Sequence, residues 1–278
     1  MPGLAWRTPT CGRSSGTPVP ETRRTLSSVQ NAARLLKTFT SLDRELGVTE
    51  LAHRLGLGKS TVHRLLATLA EEQLIEQDPV SGRYRLGLAV HELGAAASTA
   101  TDLHAAALTP MSVLRARTGE TVQIAVLDGR EVVYVERLDS PNTLALFLEV
   151  GRRNDAHVTG TGKCLLSFLD EATLDRMLDG WELRAQTPST ITDPLALKKE
   201  LARSRRRGYA TNLHESEVGV ISVAGPIRDG HNRVIASMSV AGPAERMEPV
   251  MERTTQAVVE ACAVTSRRLG WTQNPRPT

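Results

Sequence analysis

The chain has 278 residues, 40% of them hydrophobic and 3% aromatic, with 34 Lys+Arg against 31 Asp+Glu and a formal charge of +3. That length is enough for two domains that each bury a core, and no apolar run approaches the ~20 residues of a membrane span. Cys11, Cys164 and Cys262 stand alone, without C-x-x-C or Cys/His ligand spacing, which speaks against a disulfide framework or a structural zinc site and for a reduced, cytoplasmic protein.

The charge is unevenly placed. Residues 1–90 hold 12 basic against 8 acidic side chains, whereas the remainder holds 22 against 23. A basic first third joined to a near-neutral remainder suits a nucleic-acid module coupled to something else. Residues 1–24 are rich in Pro, Gly, Ser and Thr and show no period, so a disordered tail is expected there. Arg7 and Arg13 have no apolar stretch behind them, which leaves a signal peptide unsupported, and Arg23-Arg24 reads as solvated tail rather than as a DNA contact. Ser27 is expected to cap a first helix with Val29, Ala32, Ala33 and Leu36 on one face.

Val48 to Leu69 reads as two short helices joined by a tight turn. Thr49 is the expected cap of the first, which carries Leu51 and Leu55 on one face. Gly56-Leu57-Gly58 breaks it, since glycine accepts the backbone angles a sharp turn demands. The second helix has Val62, Leu65, Leu66 and Leu69 on an apolar stripe. Its other side carries Lys59, Ser60, Thr61, His63, Arg64 and Thr68, hydrogen-bonding and partly cationic types suited to a DNA major groove. Two strand-like runs, Leu74 to Asp78 and Arg83 to Leu86, flank the turn Pro79-Val80-Ser81-Gly82. A hairpin directly after a recognition helix is a wing, and this one carries Arg83 and Arg85. Gly58-Lys59-Ser60 imitates the end of a phosphate-binding loop. That motif needs a Gly five residues before Gly58, where His53 stands, and a strand rather than a helix ahead of it.

Leu88 to Ala100 is an alanine-rich helix of the kind that connects domains, and a helix from Asp102 to about Arg117 is expected to kink at Pro110. From Thr121 the period changes to two. Thr121 to Leu127 and Glu131 to Leu138 flank the hairpin signal Asp128-Gly129, and Leu144, Leu146, Leu148 and Val150 alternate along a third strand. Helices follow near 160–168, 171–179 and 194–207, the last opened by Asp193 and Pro194 and closed by Gly208. Val218 to Ile227 and Arg233 to Val240 are two further strands, and a last helix runs from about Ala244 to Leu269. An antiparallel sheet with segregated helices is an α+β arrangement.

The segments GLGKSTVHRLLATL, SGRYRLG, GETVQIAVLDGREVVYVER and GYATNLHESEVGV, in that order, resemble the IclR family of bacterial transcription regulators over about residues 25 to 270. Gly58 departs from the Pro the family usually has there, removing a preset backbone angle at the recognition helix. The resemblance implies a winged helix-turn-helix domain over 25–86, a linker helix over 87–102 that joins protomers, a GAF-like α/β effector-binding domain with an antiparallel sheet over 103–270, and a short tail over 271–278. It implies a cytoplasmic, nucleoid-associated regulator, a repressor by preference. Such a protein binds a near-palindromic double-stranded DNA operator as a homodimer or homotetramer and needs neither a cofactor, a metal nor a membrane. The DNA-contacting set it points to is Thr49, Lys59, Ser60, Thr61, His63, Arg64, Thr68, Arg83 and Arg85.

Two stretches of the second domain stand out for chemistry. His157 to Lys163 leads into a helix, whose N–H groups suit a carboxylate, and Gly208 to Glu215 leads into a strand bearing Ser222. In the resembling family such loops line the effector pocket, which nominates Leu146, Gly160, Thr161, Asn212, Ser222 and Ser239. This neutral, hydroxyl-rich set suits a small organic acid or an aromatic metabolite. Asn212 replaces the carboxylate of some relatives, and Ala241 replaces a serine. Lys163 is expected to point along its helix toward solvent, leaving the ligand to backbone N–H groups. The plain alternative is that Gly160 and Gly162 serve a turn and the serines are ordinary strand residues. His157, His214 and Glu215 could be assembled with a serine into a hydrolase, but no G-x-S-x-G elbow or H-E-x-x-H pair supports an enzyme. A metabolite-binding protein that never touches DNA is separable by gel shift.

Overall fold

The computed structural model describes residues 26–39, 43–99, 103–142 and 150–272, and the chain divides into two compact units, Met1–His91 and Glu92–Thr278. In the first, helices α1 (Ser27–Leu36), α2 (Val48–Leu55) and α3 (Lys59–Glu71) precede a hairpin of β1 (Ile75–Gln77) and β2 (Tyr84–Leu86). Gly56, at φ +66°, ends α2 in the left-handed conformation that glycine takes without steric cost. Leu51, Leu55, Val62, Leu66, Leu69 and Tyr84 belong to one buried core. In the hairpin turn, Asp78 Oδ1 accepts the N–H groups of Val80 and Ser81 at 2.9 and 2.6 Å.

Two local expectations need correction here. Thr49 caps nothing. The backbone of Leu46 exchanges two 2.9 Å hydrogen bonds with Tyr84, so the chain leaves the sheet at Gly47 and turns into α2 at Val48. Thr49 is thereby drawn into the first turn. Ser27 likewise is already helical, with Leu26 at the cap position and no side-chain cap bond. The buried face of α1 is also rotated from the expected one. Leu35 is fully buried, with Ala32 and Leu36 packed beside it, while Ala33 and Val29 are exposed. The contacts with α2 and α3 set that rotation, and two adjacent apolar stripes in one helix cannot be ranked by period alone.

Helix α4 (Leu88–Thr99) runs across the division between the units. The second unit contains α5 (Leu103–Thr118), β3 (Thr121–Asp128), β4 (Glu131–Leu138), β5 (Arg153–Asp155), a 3-10 turn (Ala156–Val158), α6 (Gly160–Ser167), α7 (Glu171–Leu178) and α8 (Pro194–Arg207). It ends with β6 (Ala210–Leu213), β7 (Val220–Arg228), β8 (Val234–Pro243), α9 (Ala244–Met247) and α10 (Met251–Arg268). The six strands form one antiparallel sheet in the order β5-β4-β3-β8-β7-β6. Period-two alternation divides their side chains. Val122, Ile124, Val223, Met238 and Val240 point to the face covered by α5 and α10, whereas α6, α7 and α8 pack against the other.

Helix α8 has the expected ends, with Asp193 accepting the Ala196 N–H at 2.7 Å. Helix α5 runs on through Pro110. Proline has no N–H to give the Ala106 carbonyl, and Arg268 of α10 supplies a donor to it instead, at 3.3 Å. The expected single last helix is interrupted, because Pro249 sits in a 3-10 turn (Glu248–Val250) between α9 and α10. Strands β5 and β6 were not expected as such. The expected strand through Leu144, Leu146 and Leu148 lies outside the described residues, and Val150 is in a turn.

Candidate functional site

Helix α3 divides cleanly. Val62, Leu66 and Leu69 are buried and Leu65 is partly so, while Lys59, Ser60, Thr61, His63, Arg64 and Thr68 are all exposed. Gly58 holds the cap position without a side chain, and its carbonyl takes the N–H groups of Thr61 and Val62 at 3.0 and 3.1 Å. The first N–H groups of the helix are left pointing outward beside Lys59. Among the described residues neither Lys59 nor Arg64 is ion-paired. The wing differs. Arg83 donates to the Glu45 carbonyl at 2.7 Å and to Glu50 at 3.1 Å, and Arg85 pairs with Glu76 at 2.5 Å. Such exposed pairs are worth little in water, so they can be exchanged for a phosphate. Thr49 is exposed on α2.

In the second unit a cavity of about 360 Å³ opens between the sheet and the start of α6. Its floor is built by alternation, one side chain per strand, from Gln123 of β3, Ser239 of β8, Ser222 of β7 and Asn212 of β6. Gln123 pairs in register with Ser239, and Ser222 with both Asn212 and Ala241. The wall is Thr159, Gly160 and Thr161. Thr159 Oγ1 accepts the Gly162 N–H at 3.0 Å, capping α6. A Cβ on Gly160 would lie 2.7 Å from Ser222 Oγ, so only glycine lets the helix start approach β7 this closely. Tyr134 and Arg152 complete the lining on the β4 side. Burial raises the Tyr134 phenol above its ordinary value, an effect opposed by its hydrogen bond with Thr161.

The structure therefore gathers Gly160, Thr161, Asn212, Ser222 and Ser239 around one cavity, while Leu146 lies outside the described residues. Asn212 is also committed locally. Its Oδ1 accepts the Glu215 N–H at 2.7 Å and its Nδ2 donates to Ser216 Oγ at 2.8 Å. Sequence reasoning missed Gln123, Tyr134 and Arg152. A signal for Gln123 existed, since it alternates with Val122 and Ile124 and therefore faces away from the apolar side of β3.

Lys163 does not reach solvent. It is 1% exposed and ion-paired with Glu215, itself buried on the loop after β6. Burial pushes the ammonium below its ordinary value, with the Glu215 carboxylate pulling the other way. His157 lies in the same region, fully buried, with Nε2 donating to the Arg184 carbonyl at 3.0 Å and Nδ1 without a partner. Its ring meets Trp181 edge-on at 5.4 Å. Burial lowers the His157 imidazole from its ordinary 6.5. A folded-state value below the unfolded one means that the unfolded chain takes the proton first. The stabilisation is thus complete above about pH 6.5 and is lost as pH falls through the folded value, by at most about 1.4 kcal/mol per pH unit. Melting temperatures of the parent should drop between pH 7 and 5.5 more steeply than those of His157→Phe; parallel curves would refute this.

No group of His, Cys, Asp and Glu among the described residues could hold a metal ion. Cys164 and Cys262 are free and buried, and burial pushes the Cys164 thiol up to about 12. No helix among the described residues is long and apolar enough to cross a membrane.

Comparison with known proteins agrees with both halves. Residues 28–79 match the IclR helix-turn-helix domain, and residues 95–268 match the bacterial transcriptional regulator IclR C-terminal family. The HTH-type transcriptional regulator XynR of Escherichia coli is 35% identical over 247 residues, which span 88% of this chain and 98% of XynR. The acetate operon repressor of Salmonella typhimurium is 30% identical, with 80% of this chain and 82% of the repressor covered. Among solved structures, an IclR homolog from Microbacterium hydrocarbonoxydans complexed with 4-hydroxybenzoate superposes with a TM-score of 0.79 at 28% identity, over 87% of this chain and 98% of that one. These relatives are regulators, not enzymes. The chain belongs to the IclR family and is a DNA-binding transcriptional regulator.

Proposed function

We propose that this regulator is a ligand-responsive repressor that acts in the cytoplasm, on the nucleoid. It binds a near-palindromic operator as a homodimer or homotetramer, and a small organic acid or aromatic metabolite in the cavity of the second unit controls it. The observation that carries the DNA half is the α3 face. Six exposed hydrogen-bonding side chains stand over a buried stripe, with Lys59 and Arg64 lacking ion-pair partners among the described residues. One helix-turn-helix unit contacts too few bases to select one operator among many competing sites, which favours two half-sites about one helical turn, or a multiple of it, apart. The ligand half draws support from the cavity lining and from the relative that carries 4-hydroxybenzoate. To act as a switch, the ligand must bind one conformation of the assembly better than the other, because equal affinity shifts nothing.

The test is a salt-titrated gel shift. Arg64→Ala should weaken operator binding by about 1–3 kcal/mol if Arg64 reads a guanine edge. Lys59→Ala should weaken specific and random DNA alike and lower the salt slope by about one. If both variants bind like the parent, α3 is not the reading helix.

A further inference from the structure

The cavity floor has unmet hydrogen-bonding demands. Gln123 is 2% exposed, and its Oε1 has no hydrogen-bond partner. Ser239, its cross-strand neighbour on β8, is 1% exposed, and Ser222 on β7 is 6% exposed. Among the described residues neither serine hydroxyl has a partner. A buried carbonyl oxygen is satisfied only by an O–H or N–H donor, so a carboxylate or a hydrocarbon placed against Gln123 leaves it orphaned. Neighbouring strands place these groups roughly 5 Å apart, stepping across the sheet. The opposite wall asks for the reverse polarity. At the start of α6, Gly162 and Lys163 give their N–H groups to Thr159, while those of Gly160 and Thr161 take no part in the cap. Arg152 lines the cavity as well.

A ligand fitting both walls has an anionic end at α6 and several hydroxyls over the sheet. A flat aromatic ring laid on the same floor would cover Gln123, Ser239 and Ser222 with a face that offers them no donor, and the apolar part of the lining is only Gly160, Val220 and Ala241 beside Tyr134. We infer that the ligand of this chain is a small polyhydroxylated carboxylate, a straight-chain sugar acid in chemical class, and that Gln123 accepts a hydrogen bond from one of its hydroxyls. This rests on the reading of the cavity as the ligand site and narrows it. The volume, about 360 Å³, lies at the small end of the roughly 300–1,000 Å³ usual for ligand sites, as a five- or six-carbon acid requires.

The experiment is calorimetric titration of the full chain with three straight-chain aldonates (gluconate, galactonate and arabinonate), with hexanoate and with 4-hydroxybenzoate. At least one aldonate is expected to bind more tightly than both other acids. Gln123→Met, close in shape but without the amide, should weaken that aldonate by roughly three- to ten-fold, and Ser239→Ala should do so to a similar or smaller degree. If Gln123→Met does not fold, as a melting curve reveals, Ser239→Ala alone decides. The inference is overturned if no aldonate binds, if hexanoate or 4-hydroxybenzoate binds at least as tightly, or if every folded variant binds the aldonate like the parent. Thr161→Trp separates the two levels. An aromatic acid that binds the parent but not Thr161→Trp leaves the cavity reading standing and removes the sugar acid. An aldonate that binds the parent and Thr161→Trp alike removes the cavity reading as well.

Discussion

Replacing Lys163 by methionine is expected to lower the stability of the C-terminal unit by about 3–5 kcal/mol, the usual consequence of leaving one member of a buried ion pair behind. Methionine matches the lysine stem in shape, so little of the loss would be packing. What it removes is the cation facing the Glu215 carboxylate, whose Oε2 already lacks a hydrogen-bond partner. The pair itself is not a strong source of stability, since burial holds the Lys163 ammonium below its ordinary value even with Glu215 beside it. Its removal as a unit should therefore be mild. The double variant Lys163→Met/Glu215→Leu should recover most of the loss, though not all, because Glu215 Oε1 also accepts the Leu213 N–H at 3.3 Å. Urea unfolding of the three variants is the measurement. A single variant within about 1 kcal/mol of the parent, or a double variant no better than the single one, would show that the pair is not desolvated as described.

The same pair shows what the sequence could and could not reveal. On its own helix Lys163 follows Gly162 and precedes Cys164, and nothing local marks it as buried; its partner lies 52 residues further on. The error at Thr49 has a similar origin. A Thr ahead of an apolar period is a sound cap signal, but the bridge between Leu46 and Tyr84 fixes where the chain can turn. By contrast, the stripe of α3 and the ends of α8 rest on contacts within a few residues, and both were legible. Pro249 is a different case, since the break it imposes on the last helix was open to inspection and passed over. The site was legible in part for the same reason. Gly160 and Thr161 follow from a glycine-bearing helix start, whereas the floor exists only because antiparallel pairing sets Gln123 beside Ser239, far along the chain. Period two says that Gln123 faces away from Val122 and Ile124, but not that a helix start stands over it.

Thr161→Trp is the substitution that should separate sensing from DNA binding most completely. Thr161 is 2% exposed and stands at the first turn of α6, on the cavity wall beside Tyr134. An indole there has one open direction, the cavity, because the rest of α6 is buried against the sheet and α8. It would occupy the volume that a ligand needs and cover the N–H groups at the helix start. Overpacking of this kind costs about 1–3 kcal/mol, which lowers the melting temperature without unfolding a domain of ordinary stability. The reading side chains of α3 belong to the other unit, which has its own core, so their presentation does not depend on α6. The expected result is operator affinity within two- or three-fold of the parent, with no release by an acid that releases the parent. Release at the parent's ligand concentration would mean that the ligand binds elsewhere. Loss of operator binding in a variant that still melts cooperatively would mean that the α6 end governs the assembly rather than the ligand, and only the DNA-binding half of the proposal would remain.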